Sequence, residues 1–131
     1  MEKDFVPYEL AVKLKAIGFD EECSSYYDLN NKPNFFGADG LMDTHCVQVN
    51  RPTFSQAFRW FRERHFYHSI NTYHSVSPNK PFGVSIDYLH ESGKWDYIDL
   101  RGEVEFETYE EAELACLTML IEIVEGQKDS K

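Results

Sequence analysis

Phe82, Val84, Ile86, Tyr88 and His90 alternate with Gly83, Ser85, Asp87 and Leu89. This period of two predicts a strand, the clearest in the chain. Ser92-Gly93 reads as a two-residue hairpin turn. It would set Leu89 opposite Asp96, Tyr88 opposite Tyr97 and Asp87 opposite Ile98. One face would then carry Val84, Ile86, Tyr88, Trp95 and Tyr97, and the other would mix Leu89, Ile98 and Leu100 with acids. Asp87 and Asp99 would fall on opposite faces. Two part-apolar faces imply that the second is also covered, by a loop or by another subunit.

Three segments repeat at the helical period instead. Leu10, Leu14 and Ile17 form a stripe after Pro7, and Gly18 is the expected left-handed cap with Phe19 folding back behind it. Phe54, Ala57, Phe58, Phe61 and His65 form a second stripe, opened by Thr53 with Gln56 three residues on. Trp60 lies off its centre and is expected to be partly exposed. Thr108 with Glu111 opens a third helix, apolar over a wide arc from Leu114 to Val124 and ended by Gly126, with a frayed tail beyond. Shorter strands are expected at 23–29, at 34–36 after an Asn30-Asn31 turn, at 42–49 after an Asp39-Gly40 turn, and at 66–76. An alternating segment runs from Glu103 to Glu107. The predicted fold is one α+β domain spanning 1–131: an antiparallel sheet with a central hairpin at about 82–101, packed by three helices at about 7–17, 53–65 and 108–125.

Charge adds asymmetry. The chain of 131 residues carries a net charge of −10. Residues 1–50 hold 4 basic and 9 acidic side chains, 51–82 hold 5 and 1, and 83–131 hold 4 and 13. Such a chain repels a phosphate backbone over most of its surface and attracts basic partners. The exception is the second helix, where Arg51, Arg59, Arg62 and Arg64 gather beside Trp60 and Tyr67. Cys23, Cys46 and Cys116 are odd in number and widely spaced, as expected of reduced thiols in a cytoplasmic setting. No signal peptide is visible, and no run approaches the ~20 apolar residues of a membrane span.

Phe5-Val-Pro-Tyr-Glu-Leu-Ala-Val-Lys-Leu-Lys-Ala-Ile-Gly-Phe-Asp-Glu, Tyr26-Tyr27-Asp28, Pro52 through Glu63, and Glu107 through Leu117 together resemble a family of small uncharacterised proteins encoded by bacterial phages, prophages and related mobile elements. The resemblance implies a setting but no activity.

The candidate chemistry is thin. His65, His68 and His74 lie close in sequence, but a zinc site needs three or four ligands converging at about 2 Å. On one strand His68 and His74 would lie about 20 Å apart. His45 and Cys46 are neighbours, so in a strand they point to opposite faces. Asp87, Asp96, Asp99, Glu103, Glu105 and Glu107 could supply a metal-dependent hydrolase only if two or three converged. No Gly-rich phosphate loop, GxSxG or HExxH occurs. The expected function is therefore that of a small acidic, non-enzymatic accessory protein acting through protein–protein contacts or self-association. No catalytic residue, metal or cofactor is assigned. Single-stranded RNA or DNA binding through Arg59, Trp60, Arg62 and Arg64 is the alternative, disfavoured by net charge. Metal-dependent hydrolysis by strand carboxylates is a second one.

Overall fold

The computed structural model describes residues 4–36, 47–72, 80–90, 92–100 and 104–129. His45, Cys46 and His74, the Asp39-Gly40 turn and parts of the strands expected at 42–49 and 66–76 lie outside them. The described residues contain three helices and two three-stranded antiparallel sheets, an α+β architecture. The strands are thus shared between two sheets rather than forming one. Contacts divide the chain into two compact units, 1–57 and 58–131.

In the first unit, α1 (Tyr8–Ala16) buries Leu10, Ala11 and Leu14. It ends as its sequence predicts. Gly18 turns left-handed at φ +112°, the Gly18 N–H donates to Lys15 O at 3.1 Å and the Phe19 N–H to Leu14 O at 2.9 Å. This bond pair closes a helix on a glycine and leaves Phe19 buried. β1 (Ser25–Asp28) lies between β2 (Pro33–Phe35) and β3 (Val47–Asn50). The β1–β2 turn is held by Asp28, whose Oδ1 accepts from the Asn30 N–H at 2.8 Å and the Lys32 N–H at 3.0 Å. Asn31 takes φ +64°, a conformation Asn tolerates. The N-terminal segment joins this unit through a bridge from Phe5 to Thr53, and the Tyr27 hydroxyl donates to Val6 O at 2.6 Å.

α2 (Phe54–Arg62) spans the boundary between the units. The Thr53 hydroxyl accepts from the Gln56 N–H at 3.1 Å, as the cap pattern predicts. The stripe stops at Phe61. His65, expected on it, is instead exposed at φ +67° and closes the turn after the helix. A histidine in the left-handed region is uncommon but tolerated, and it aims the chain into the next strand.

The second unit centres on β5 (Phe82–Leu89), flanked by β4 (Phe66–Thr72) and β6 (Trp95–Asp99). The described part of the Glu103–Glu107 segment contributes a bridge, Phe106 to Phe82. α3 (Tyr109–Asp129) starts at Thr108, whose hydroxyl accepts from the Glu111 N–H at 3.1 Å. It packs on β4 and β5 and buries Ala112, Cys116, Leu117, Leu120 and Ile121. Gly126 does not end it. The helix runs on to Asp129, and Gly126 is not among the left-handed residues, so it makes no cap, and the described part of the tail, 127–129, is helical.

The hairpin departs most from its sequence reading. The His90 N–H donates to Lys94 O at 2.7 Å and the Gly93 N–H to His90 O at 2.9 Å, with Gly93 at φ +86°. The loop between His90 and Lys94 thus has three residues, the form in which the last adopts the left-handed conformation. Leu89 now pairs with Trp95, Tyr88 with Asp96, Asp87 with Tyr97 and Ser85 with Asp99. A shift of one residue moves every β6 side chain to the other face. Ile98 joins Val84 and Ile86 on the core side, while Trp95 and Tyr97 leave it.

Candidate contact surface

The arginine helix is the first place to look for a site. Trp60 is only 2% exposed, which corrects the expectation of a partly open ring. It stands three positions after the fully buried Ala57 and next to Phe61, so it widens the buried arc rather than leaving it. The Arg64 guanidinium lies 3.9 Å over the Trp60 ring, and its Nη1 donates to Trp60 O at 3.1 Å. Trp60 therefore offers no face on which a base could stack. Arg59 and Arg62 are exposed, and Arg59 meets Glu63 one helical turn away at 3.8 Å. A pair so open to water contributes at most about 1 kcal/mol.

Arg51 is not on that surface. It is 5% exposed in the first unit, with its guanidinium 4.1 Å over the Phe5 ring and Tyr27 and Phe35 further out. Its Nη1 donates to the Ser25 hydroxyl at 3.2 Å, and its Nε has no hydrogen-bond partner. Among the described residues, aromatic faces rather than acids surround this charge.

His68 lies under the Phe58 ring, centroids 3.7 Å apart and nearly parallel. Burial, with Arg62 nearby as the second cause, pulls its pKa down to about 4, so it is neutral at pH 7. The thiols are equally quiet. Burial raises Cys116 to about 12 and Cys23 to about 11, and neither is in a disulfide. Among the described residues no group of three or more His, Cys, Asp or Glu is placed to hold a metal ion. Nor is any helix among them long and apolar enough to cross a membrane.

The feature that stands out is the open face of the second sheet. Opposed residues of antiparallel strands point to one side. The pairings Tyr67 to Asp87 and Asp87 to Tyr97 therefore form one row across all three strands. Trp95, Leu89, Ser85 and Asp99 share that side, with Ser69 and Asn71 from β4. Phe66, Ile86, Val84 and their neighbours occupy the other, buried side. On the open side Tyr67 is 40% exposed, Trp95 60% and Tyr97 69%. The Tyr67 and Trp95 rings lie 6.0 Å apart, inclined by 35°. Together with Asp87 and Asp96 the three rings line a depression of about 390 Å³. Within this single chain the three rings are open to solvent. Asp87 and Asp99, expected on opposite faces, share one.

Sequence reasoning does not single out Trp95 and Tyr97 as a site, and it places them on the face of Val84 and Ile86. The deciding signal was loop length. Ser-Gly and Glu-Ser-Gly both place a glycine where positive φ is needed, and the two loops give opposite faces.

No family model matches the chain, and neither a curated protein nor a solved structure matches it significantly.

Proposed function

We propose that this chain is a small non-enzymatic accessory protein, in the phage or mobile-element setting its sequence resemblance implies, that works by binding another protein through the Tyr67–Trp95–Tyr97 face. One observation carries this reading. Three large aromatic side chains stand open to solvent side by side on a regular sheet face, 40%, 60% and 69% exposed. Tyrosine and tryptophan are the residue types enriched in the cores of protein interfaces, because each buries a large apolar area while ordering few torsions. A sheet face also holds them more rigidly than a loop would. The nucleic-acid alternative loses its stacking residue with the burial of Trp60.

The test is site-specific crosslinking. A photoreactive phenylalanine analogue at position 97, in cells producing the protein, is expected to yield a discrete protein adduct. The same analogue at the exposed position of Ser55, which belongs to the chain's other unit, is the control. Absence of an adduct at 97, or the same adducts at 55, sinks the reading.

A further inference from the structure

We infer that the partner of this face is a basic polypeptide segment, one of whose lysine or arginine side chains seats against the Tyr67, Trp95 and Tyr97 rings and pairs with the Asp87 carboxylate. This rests on the contact reading above and specifies its partner. The argument is one of charge and ring geometry. The side chains that the three strands present on the open side include two carboxylates, Asp87 and Asp99, and no lysine or arginine. Asp87 stands between two of the rings, opposite Tyr67 on one strand and Tyr97 on the other, and is itself exposed. Aromatic faces carry partial negative charge, so rings and carboxylate act on a cation with the same sign. Three rings with Asp87 between two of them and Asp96 adjoining, lining a depression of about 390 Å³, accept the head of one long cationic side chain rather than a broad flat surface.

The same charges argue against the other occupants. A second copy docked face to face would bring Asp87 and Asp99 against acids of its own kind, and like charges at an interface are costly. A single-stranded nucleic acid could stack its bases on such rings, but its phosphates would meet these carboxylates with no basic side chain from the three described strands to receive them. The buried Arg51 is an instance of the same chemistry inside the chain, a guanidinium at rest on phenylalanine.

The experiment is a nuclear magnetic resonance titration of the full chain with a peptide of alternating glycine and arginine. A glycine–glutamate peptide and a thymidine oligonucleotide serve as comparisons. The two tryptophans give separate indole signals, and Trp60, being buried, reports on the fold. Expected is a saturable shift of the Trp95 indole and of the Tyr67 and Tyr97 rings with the arginine peptide alone. Asp87→Asn, read at the Trp95 indole, and Trp95→Ala, read at the Tyr67 and Tyr97 rings, each weaken binding about tenfold while the Trp60 signal stays in place. Added salt weakens it further. Four outcomes overturn the inference: no Trp95 response to the arginine peptide, an unchanged affinity in Asp87→Asn, a response to the oligonucleotide instead, or a Trp95 shift that follows protein concentration without peptide and so marks a second copy. If the crosslink at position 97 persists while the arginine peptide does nothing, the face binds a protein that is not basic. If both are absent, the contact reading falls as well.

Discussion

His68 shows how one residue can tie fold to solution conditions. It is a base whose pKa in the folded chain, about 4, lies below its ordinary value of 6.5. The unfolded chain therefore binds the proton more readily between those values. The contribution of neutral His68 is complete above pH 6.5 and is lost as pH falls toward 4, a loss on the order of 3 kcal/mol at most. Urea unfolding at pH 7 and pH 5 is expected to show a steeper loss in the parent than in His68→Phe, which keeps a ring against Phe58 and cannot titrate. Equal losses would mean that His68 is solvated. Arg51 poses the opposite problem, a permanent charge in an aromatic setting. Its planar guanidinium lies over Phe5 in a way a lysine ammonium cannot reproduce. Arg51→Lys is expected to cost about 2 kcal/mol in the same measurement, with the lost ring contact and the lost bond to Ser25 both contributing.

At the scale of elements, short-range signals are legible in the sequence and loop length is not. The two Thr caps and the Gly18 terminus are short-range chemistry, complete within a few residues, and they form as their residue types dictate. The strand at 82–89 was legible because its alternation is long and unbroken. The hairpin register depended on one residue of loop length, which no short-range signal distinguishes. Trp60 was misjudged because the width of a buried helical arc is set by what packs on it, not by the helix. Gly126 was misread because a glycine ends a helix only where the chain needs positive φ. Two glycines should therefore respond to alanine in opposite senses. Gly93→Ala places a side chain at φ +86° and is expected to destabilise by about 1 kcal/mol. At Gly126 the same change meets open space inside a helix and is expected to stabilise by up to about 1 kcal/mol, less near a fraying end. Thermal unfolding of both variants checks the pair, and a loss of stability in Gly126→Ala would contradict the helical assignment there.

At the scale of the whole molecule, charge set the expectation and burial revised it. The local excess of arginine in an acidic chain suggested a binding patch on the second helix. The structure spends two of those arginines on aromatic neighbours, Arg51 on Phe5 and Arg64 on Trp60, and a third sits near Glu63. The open aromatic rings lie elsewhere, on a sheet face that the sequence pattern had turned inward. The class of fold was therefore accessible from periodicity, while the candidate site was not, because exposure is a property of the assembled sheet.

β6 is the outer strand of its sheet and carries Trp95 and Tyr97 with Asp96 and Asp99 between and beside them. An uncovered edge rich in aromatics is a template for further strands, and charged side chains are the usual guard against it. Here the carboxylates occupy both faces of that edge, Asp96 on one side and Asp99 on the other, so neither face of an added strand could approach without meeting one. The strand that offers the rings is in this sense also an edge open to self-templated assembly. A double Asp96→Asn, Asp99→Asn variant is expected to keep its circular dichroism yet form thioflavin-positive aggregates at concentrations where the parent scatters no light. A variant that stays clear would place the guard against polymerisation elsewhere in the chain.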